Sequence, residues 1–442
     1  MPLDINYIRS NHQIVRKSQI KRFKDPNIVD QILDLDIKWK TLIGQIDLLN
    51  KSRNLKQKKL SQFYKSHNEN SIEAIDLNTE IKFIQDDINI CQMDRSNLEK
   101  HIDKLVRSIG NILAPDVPIS KDEVRDMCVY STWGSLDGLD NQSKPLNHHV
   151  LLEKIGGFDS DRGVKVAGHK GYFLKGPGVR LNQALINYSL DFLESKGYDL
   201  LQPPYFIKKS IMEGVVQLED FEESLYQLGA SADTNMIMTR DDPLCMIATS
   251  EQPICGYHAN EWLGDKDLPK KYGGISTCFR KESGAHGKDT WGIFRVHQFD
   301  KIEQFAITTD CLEQSNLMQK QMIEVAEEFY QSLGIPYRVV NIVSGDLNNA
   351  AIRKYDLEGW FPGYNTYREL VSCSNCTDYQ SRPMGIKCGE KRYVHMLNGT
   401  LCACTRVICC LLELGQTELG IQLPEVLGKY MGGRTFIPWT KS

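Results

Sequence analysis

Two long stretches of the chain repeat apolar residues at alternating spacings of three and four, and this pattern constrains the fold more than any other feature. Sustained heptads predict two long helices that share one apolar seam. The polar segment 66–70 separates them, and a short connection makes such helices antiparallel neighbours. Each helix would reach on the order of 50 Å, so we expect this hairpin, at about residues 27–110, to project from a globular body. The seam residues are Ile32, Leu35, Trp39, Leu42, Ile46, Leu49, Leu60 and Phe63, then Leu77, Ile81, Ile84, Ile88, Cys91, Leu98, Ile102, Leu105 and Ile109.

Basic residues are concentrated on the first predicted helix, close to the turn. The stretch from 51 to 65 contains no acidic residue. A basic helix face of this kind predicts contacts with the phosphate groups of a nucleic acid. A solvated helix surface is the alternative, and a heptad seam by itself is also typical of a structural or dimerising coiled coil. The basic residues are Lys51, Arg53, Lys56, Lys58, Lys59 and Lys65.

Composition places the chain among globular proteins. It has 442 residues, 25% of them charged, and a net charge of −4, which argues against a generally basic nucleic-acid coat. No apolar run approaches the roughly 18 residues of a membrane span, and the first ten residues lack the apolar core of a secretory signal. With 13 cysteines, we expect reduced thiols and a cytoplasmic location. The basic residues between 9 and 24 leave a mitochondrial address as the alternative.

The remainder of the chain predicts a second domain. Prolines at 115 and 118 end the second helix, which gives an N-terminal domain of residues 1–114. The polar segment 115–147 predicts a linker. From residue 148 to 442, runs typical of strands alternate with a few helices, such as 181–196 and 310–333. This pattern predicts an α+β domain built on an antiparallel sheet.

The segment from Phe279 to Phe305 carries the clearest chemical signal. Arg280 and Glu282 lie on one predicted strand, and Phe299 and Glu303 lie on the returning strand after a long polar loop. This surface combines an anion-binding arginine, an aromatic ring for stacking and a carboxylate for selection. An enzyme that joins a nucleoside triphosphate to a small polar acid needs that combination. A lone Arg-x-Glu pair is more often a surface ion pair, so the wider context decides. The usual phosphate-binding glycine loops are absent from the sequence.

Five segments in order supply that context. They are GYDLLQPPYF with Pro204, ATSEQP at 248–253, FRKESGAHGKDTWGIFRVHQFDKIE, RELVSCSNCTDYQSR at 368–382, and HMLNGTLCACTRVICCLLE with Arg406. Together with the hairpin, this ordered set resembles the seryl-tRNA synthetases, which are class II aminoacyl-tRNA synthetases, and most closely their cytosolic eukaryotic type. The resemblance implies a class II antiparallel catalytic sheet that carries an N-terminal coiled-coil hairpin. Trp291 departs from the family pattern, because a basic residue is common at that place in the loop.

The resemblance also implies an activity and its partners. We expect activation of L-serine with ATP to seryl-adenylate, then transfer of serine to tRNA(Ser), with tRNA(Sec) left open as a second acceptor. The family works as a homodimer and places tRNA on the helical hairpin. A paralogue that adenylates an amino acid for a protein carrier is the main alternative, and a catalytically inactive scaffold is the second. The basic hairpin argues against the first, and the complete set of site residues argues against the second.

Site residues follow from the matched motifs. The resemblance assigns catalysis to Arg280, Glu282 and Arg406, with Arg280 on the α-phosphate and Arg406 on the γ-phosphate and over the adenine. Mg²⁺ that accompanies ATP is assigned to Glu369 and Ser372, because hard oxygen ligands suit that ion. Serine is assigned to Thr249, Glu251, Arg280, Glu303 and Asn398. The full ATP-binding set is Arg280, Lys281, Glu282, Val296, His297, Gln298, Phe299, Glu369, Leu370, Val371, Ser372 and Arg406.

Two residue types invite other interpretations. We expect a structural role for His297, because adenylate formation needs no base when the serine carboxylate is already ionised. Cys373 and Cys376 have the spacing of half a zinc site, but a four-thiolate site needs a second pair at suitable spacing. Cys409 and Cys410 fall in an apolar run typical of core. We therefore do not expect a structural zinc.

Overall fold

The computed structural model describes residues 2–65, 71–137, 145–216, 224–228, 242–282 and 291–440. The chain forms two compact units. The first holds residues 3–20 and 24–109, and the second holds Pro2, residues 21–23 and residues 110–442. The predicted turn of the hairpin at 66–70 and the predicted loop 283–290 lie outside the described residues. Within the described part of the chain, no helix is both long enough and apolar enough to cross a membrane.

The first unit contains the helices α1 (Ile5–Lys21), α2 (Asn27–Lys65) and α3 (Ile72–Ser108). Helices α2 and α3 are antiparallel, because Trp39 hydrogen-bonds to Glu99 and Arg53 to Gln85. Each seam residue predicted from the heptads is buried or half-buried, so the predicted helical hairpin is confirmed. Helix α1 was not predicted from the sequence; it contacts α2 through two hydrogen bonds of 2.8 and 2.5 Å from Arg9 to the buried Asp36.

The second unit consists of a main sheet, smaller sheets and short helices. Its helices are α4 (Glu123–Asp126), α5 (His148–Lys154), α6 (Ser160–Ala167), α7 (Gly176–Ser195), α8 (Lys209–Val215), α9 (Glu251–Cys255), α10 (Leu312–Ser332), α11 (Ser381–Met384), α12 (Cys404–Leu414) and α13 (Glu425–Gly428). Its strands are β1 (Cys128–Trp133), β2 (Phe158–Asp159), β3 (Phe173–Leu174), β4 (Asp199–Leu201), β5 (Phe206–Lys208), β6 (Leu244–Met246), β7 (Trp262–Leu263), β8 (Lys270–Phe279), β9 (Gln298–Thr308), β10 (Tyr337–Asn341), β11 (Arg353–Phe361), β12 (Thr366–Thr377), β13 (Lys387–Cys388), β14 (Arg392–Tyr393), β15 (His395–Ala403), β16 (Gly420–Gln422) and β17 (Phe436–Pro438).

The main sheet runs in the order β1-β10-β11-β12-β15-β9-β8-β4. Its neighbouring strands are antiparallel, apart from the parallel pair β4 and β8. The predicted α+β architecture is therefore confirmed. One face of the sheet is covered by α7, α10 and α12, whose apolar residues pack against the strands in one hydrophobic core. The opposite face carries polar side chains and, at Phe305 and Ile307 of β9, part of a second apolar cluster.

The segment 115–147 differs from the predicted linker. It contains α4 and β1, and β1 pairs with β10 at the edge of the main sheet. Five of the six β1 residues are exposed and the sixth is half-buried. An edge strand that buries neither face shows no alternation of apolar and polar residues, and this explains why the sequence pattern indicates a linker there.

Candidate active site

Strand alternation places three polar or aromatic side chains of β9 on the open face of the sheet. Phe299, Lys301 and Glu303 are two residues apart, and side chains with that spacing point to the same face of a strand. The intervening Ile302 belongs to the hydrophobic core on the other face, and Gln304 donates from that face to the carbonyl of Met322 in α10. The register with β15 sets Thr400 opposite Glu303.

The carboxylate of Glu303 lies at the centre of a buried polar cluster. Its side chain is 3% exposed, and Oε2 is 2.5 Å from Nζ of Lys301. The hydroxyl groups of Thr249 and Thr400 donate to the same oxygen at 3.4 Å each. A buried acceptor surrounded by a cation and two hydroxyl donors is suited to bind a small hydroxyl-bearing ligand.

A second carboxylate, that of Glu251 at the start of α9, faces the same cluster. It accepts hydrogen bonds from Gln380 at 2.8 Å and from Asn398 at 2.9 Å. Burial, followed by the negative charge of Glu303, raises the pKa of Glu251 to about 7. Glu251 therefore changes charge near neutral pH. The structure thus brings together the four pocket residues Thr249, Glu251, Glu303 and Asn398 predicted from the motifs.

A bulge in β12 brings Glu369 and Ser372 to one face, although residues three apart on a regular strand face opposite sides. On β11, Asp356 pairs with Ser372 and Glu358 pairs with Glu369, and the register shifts between these two pairs. Residues 356 and 358 share a face, so their partners share it too. The hydroxyl of Ser372 donates to Asp356 at 2.7 Å. The oxygen atoms of Glu369 and Ser372 form the predicted Mg²⁺ site.

Charge around the bulge favours ionised Glu369. Burial alone raises the pKa of this carboxyl, but Arg406, Lys354 and Arg280 outweigh burial and lower it. Arg406 is 3.2 Å from the Glu369 carboxylate. Asp356 behaves differently, because burial raises its pKa to about 7 despite the opposing charge of Lys354. Among the described residues, no group of three or more His, Cys, Asp and Glu side chains is arranged to hold a metal ion.

Arginine and aromatic side chains stack near the carboxyl end of β8. The guanidinium of Arg280 lies 5.2 Å from the ring centre of Phe299, within cation–π distance. The guanidinium of Arg406 lies 5.0 Å from the ring centre of Phe294. Arg368 covers Phe294 as well, at 3.9 Å. The resemblance implies that Phe299 stacks on one face of the adenine and Arg406 covers the other, and in this structure each contacts a different partner.

The backbone after β8 takes an unusual conformation at Glu282. Its φ of +48° lies in the left-handed region, which a residue with a side chain adopts at a cost. The carboxylate of Glu282 pairs with Arg295 at 3.2 Å. His297 donates from Nδ1 to the carbonyl of Arg280 at 2.8 Å, and its own carbonyl accepts from the Arg280 amide at 2.9 Å. These contacts support the structural role expected for His297.

The other predicted nucleotide residues contribute in different ways. Val296, Leu370 and Val371 are buried, so only their main-chain groups could meet a ligand. The carbonyl of Gln298 accepts from Tyr172 at 2.9 Å. The amide of Lys281 donates to the carbonyl of Ser224 at 3.0 Å.

The Cys-x-x-Cys pair lies beneath the pocket. Burial raises the pKa of both Cys373 and Cys376, so both thiols are protonated at neutral pH. Cys376 accepts a contact of 3.6 Å from Asn398, a pocket residue.

Contacts with His148 and His149 hold Trp291 in its position. Its carbonyl lies 3.1 Å from Nε2 of His148, and Nδ1 of His148 lies 3.0 Å from the Glu413 carboxylate. Burial opposes charge on His148, but Cys409 and Glu413 outweigh it and raise the pKa to about 10. The Trp291 ring contacts that of His149 edge-on at 5.2 Å. The ring of Trp291 is half-exposed, at the position where the resemblance leads us to expect a basic residue.

The basic residues of α2 divide into two groups. Arg53 and Lys56 occupy seam positions and bond across the hairpin, to Gln85 and Glu80, both at 2.6 Å. They therefore hold the two helices together rather than project from the hairpin. The other predicted residues, Lys51, Lys58, Lys59 and Lys65, are exposed.

Comparisons with known proteins agree with both units. Residues 2–113 match the family model described as the seryl-tRNA synthetase N-terminal domain, and residues 235–414 match the class II core domain of tRNA synthetases for G, H, P, S and T. The cytoplasmic serine–tRNA ligase of Dictyostelium discoideum is 48% identical over an alignment of 463 residues, which covers 100% of this chain and 96% of that protein. The chain belongs to the seryl-tRNA synthetase family.

Solved members of the seryl-tRNA synthetase family share the whole fold. The cytoplasmic enzyme of Naegleria fowleri, in complex with AMP, is 43% identical with a TM-score of 0.84, and the match covers 99% of each chain. The enzyme of Pyrococcus horikoshii, complexed with ATP, is 39% identical with a TM-score of 0.86, over 99% of this chain and 100% of that chain. The predicted fold class, enzyme class and cytoplasmic type are thereby confirmed.

Several residues of this seryl-tRNA synthetase site were not predicted from the motifs. Lys301 and Thr400 contact Glu303, Gln380 contacts Glu251, and Asp356 contacts Ser372. A signal existed for Lys301, because it lies two residues before Glu303 on a predicted strand. No local signal identifies Gln380 or Asp356, since they reach the site through tertiary contacts.

Proposed function

We propose that the open face of the main sheet carries out both steps of serine–tRNA ligation, the activity of this family. In the first step a serine carboxylate oxygen attacks the α-phosphorus of ATP and pyrophosphate leaves. In the second step a hydroxyl of the terminal ribose of tRNA attacks the seryl carbonyl and AMP leaves. The observation that carries this proposal is the convergence of the Glu303 cluster and the Arg280–Phe299 pair on adjacent strands.

The carboxylate cluster forms the serine pocket in this proposal. Ionised Glu251 and Thr249 receive the α-ammonium group of serine, with Asn398 beside them. Glu303 accepts a hydrogen bond from the serine hydroxyl. A site that pairs a hydroxyl rejects the analogue without it by roughly 10⁴–10⁵, because the polar group is otherwise left unpaired. Alanine should therefore be strongly excluded.

The arginine residues provide fixed positive charge for ATP. Arg280 contacts the α-phosphate and the serine carboxylate, and its planar fork suits two oxygen atoms at once. Arg406 contacts the γ-phosphate. These cations stabilise the negative charge that develops on the phosphate in the transition state without reorganising. Arg280 would leave the face of Phe299 that it now covers when an adenine ring stacks there.

Recognition of the adenine base involves both side chains and main chain. The carboxylate of Glu282 accepts a hydrogen bond from the adenine amino group. Its left-handed conformation holds the carboxylate at the end of β8. The main chain of residues 296–298 contacts the edge of the base, and the hydrogen bonds between His297 and Arg280 fix that segment in place.

The residues present fit Mg²⁺ brought by ATP. Ionised Glu369 and the Ser372 hydroxyl would hold it, with Asp356 supporting Ser372. Mg²⁺ commonly uses one or two protein oxygens and completes its shell with phosphates and water, so a preformed cluster of acidic residues is not needed. Bound there, the ion would neutralise charge on the phosphates.

We propose that the hairpin binds tRNA(Ser) through the exposed lysines Lys51, Lys58, Lys59 and Lys65. The match of residues 2–113 to the N-terminal domain of seryl-tRNA synthetases supports this assignment. It also disfavours a protein carrier as the acceptor, because a carrier-dependent enzyme has no need of such an arm.

We further propose that the protein is a homodimer. The support is a cavity of about 410 Å³ beside Pro204, lined mainly by apolar side chains. Two of its lining residues, Phe206 and Tyr257, are more than half exposed. Exposed apolar patches of this kind mark protein interfaces.

Serine-dependent exchange of pyrophosphate into ATP, followed by charging of total tRNA, tests the proposal. We expect exchange with serine, little exchange with alanine, and charging of the serine tRNA fraction. Exchange without charging of any tRNA would favour a protein carrier as acceptor. No exchange with any amino acid would contradict the proposal.

A further inference from the structure

Lys301 lies on β9 between two residues of the proposed site, and its charge is buried with that of Glu303. The side chains of Lys301 and Glu303 are 7% and 3% exposed, and Nζ is 2.5 Å from Oε2. Their registers set Lys301 opposite Ala403 and Ser276, and Glu303 opposite Thr400 and Gly274. The backbone of both residues of the ion pair is thus held by the strand on either side.

Buried lysine is costly and calls for a reason. Replacing a buried ion pair by apolar residues of similar volume often leaves stability unchanged or improves it. Fold stability is therefore a weak explanation for a lysine at this place. Burial favours the neutral, protonated form of a carboxyl, and a cation in contact opposes that effect. Lys301 is the cation placed to do so for Glu303.

Each element that packs around Glu303 contributes a further charged or titratable group. Glu251 at the start of α9 is negative when ionised, and it disfavours charge on Glu303. Arg280 after β8 is positive and also acts on Glu251. The thiols of Cys278 on β8 and Cys373 on β12 interact electrostatically with Glu303, and burial raises the pKa of both, so they are neutral. Lys301 is the cation in direct contact.

We propose that Lys301 is a positioning residue for serine recognition: it keeps the buried Glu303 ionised and directs its free lone pairs toward the substrate hydroxyl. This inference rests on the proposed function and assigns a role to a residue that need not touch serine. An ionised acceptor makes a stronger hydrogen bond with a hydroxyl than a neutral carboxyl does. It also makes the penalty for a ligand without a hydroxyl larger, because a buried charge is then left unpaired.

Lys301→Met tests the inference, since methionine keeps the length and removes the charge. In serine-dependent pyrophosphate exchange at pH 7, kcat/KM for serine should fall by about 10- to 100-fold, the scale of losing one charged contact. The KM for ATP should stay within about twofold of wild type. Lys271→Met is the matched control: it removes a part-buried lysine on the neighbouring strand, whose Nζ contacts the Lys196 carbonyl.

Two further readouts separate this role from a packing role. Raising the pH from 8 to 9 should raise the ratio of kcat/KM for serine in Lys301→Met to that of wild type at the same pH, because a carboxyl protonated only in the variant would lose its proton; the ratio cancels the titration of the serine ammonium group. In the Glu303→Gln background, Lys301→Met should cause no further loss. Equal losses with and without Glu303, or a kcat/KM for serine within threefold of wild type, would overturn the inference. Absence of serine-dependent exchange in wild type would instead overturn the proposed function itself.

Discussion

The helical hairpin and the catalytic sheet bury their residues in contrasting ways. Of the 39 residues of α2, only Val29, Ile32, Asp36 and Ile46 are buried. They lie on helix faces that recur along the length of α2. Of the 11 residues of β9, eight are buried, because the strand has a neighbour on either side and a layer of helices behind it. The hairpin depends on a repeating seam, whereas the sheet depends on one specific register.

This contrast has a functional consequence. Loss of part of a repeating seam leaves the remaining heptads in place. A one-residue slip in the register of β9 would turn Phe299, Lys301 and Glu303 away from the open face. We therefore expect serine-dependent pyrophosphate exchange to tolerate large changes in the hairpin and to be sensitive to single substitutions in the sheet. The following experiments challenge that division of labour, from the largest expected effect to the smallest.

Replacing Arg280 with alanine should reduce serine-dependent pyrophosphate exchange by about 10²–10³, as loss of a fixed donor to a developing oxyanion does. The measurement is kcat at saturating ATP and serine. Arg125→Ala is a suitable control, because Arg125 belongs to the same unit and its side chain is 73% exposed. Exchange within threefold of wild type would remove Arg280 from the proposed mechanism.

Replacing Glu303 with alanine should reduce kcat/KM for serine by about 100-fold, since the serine hydroxyl loses its charged acceptor and Lys301 is left unpaired. ATP binding should change far less, because no ATP contact is proposed for Glu303. Isothermal titration with ATP and exchange kinetics with serine separate the two effects. A normal KM and turnover for serine would show that the hydroxyl is recognised elsewhere.

The pH dependence of serine use should report on Glu251, whose pKa is raised to about 7. The carboxyl is neutral below that pH and ionised above it, and the ionised form attracts the serine ammonium group. From pH 6 to 8, kcat/KM for serine should therefore rise by about tenfold. Glu251→Gln should lower the value and flatten this part of the profile. A flat wild-type profile would contradict the assignment.

Replacing Lys58 and Lys59 with glutamine should weaken tRNA charging by about three- to tenfold, with no effect on pyrophosphate exchange. Each lost phosphate contact should reduce the salt slope of tRNA binding by about 1. Lys100 and Lys104, exposed on α3 away from the turn, supply the matched double control. Lys56→Met should alter the slope less than either exposed lysine, because Lys56 pairs with Glu80 across the seam.

Sequence reasoning succeeds where the decisive contacts are local. The heptads predict α2 and α3, and the alternation of β9 predicts that Phe299 and Glu303 share a face. Sequence reasoning fails where the direction of a side chain depends on pairing between distant segments. The Arg53 side chain appears on the sequence as one of a basic run, but its seam position directs it to Gln85.

The bulge in β12 illustrates the same limit. Simple alternation would separate Glu369 from Ser372, and only the shifted register against β11 reunites them. The family motif includes both residues without giving that reason. Gln380 lies within the matched segment 368–382, but neither it nor Asp356 has a residue type or spacing that marks it as a site residue, so only the folded chain identifies their contacts.

The most direct test of the account shortens the hairpin without touching the catalytic unit. The bonds Trp39–Glu99 and Arg53–Gln85 fix the register of α2 and α3, and residues 46 and 92 lie midway between them. Replacing residues 47–91 with a short Gly-Ser linker should therefore join positions that face each other and preserve the lower seam. This change removes all six basic residues between 51 and 65 that the sequence analysis identifies.

Serine-dependent pyrophosphate exchange and tRNA charging should then be measured on the same preparation. The account predicts exchange within about twofold of wild type, and a fall in kcat/KM for tRNA of about 100-fold or more, because the phosphate contacts are gone. Charging within threefold of wild type would contradict the proposed role of the hairpin. Loss of exchange together with charging would contradict the independence of the two regions.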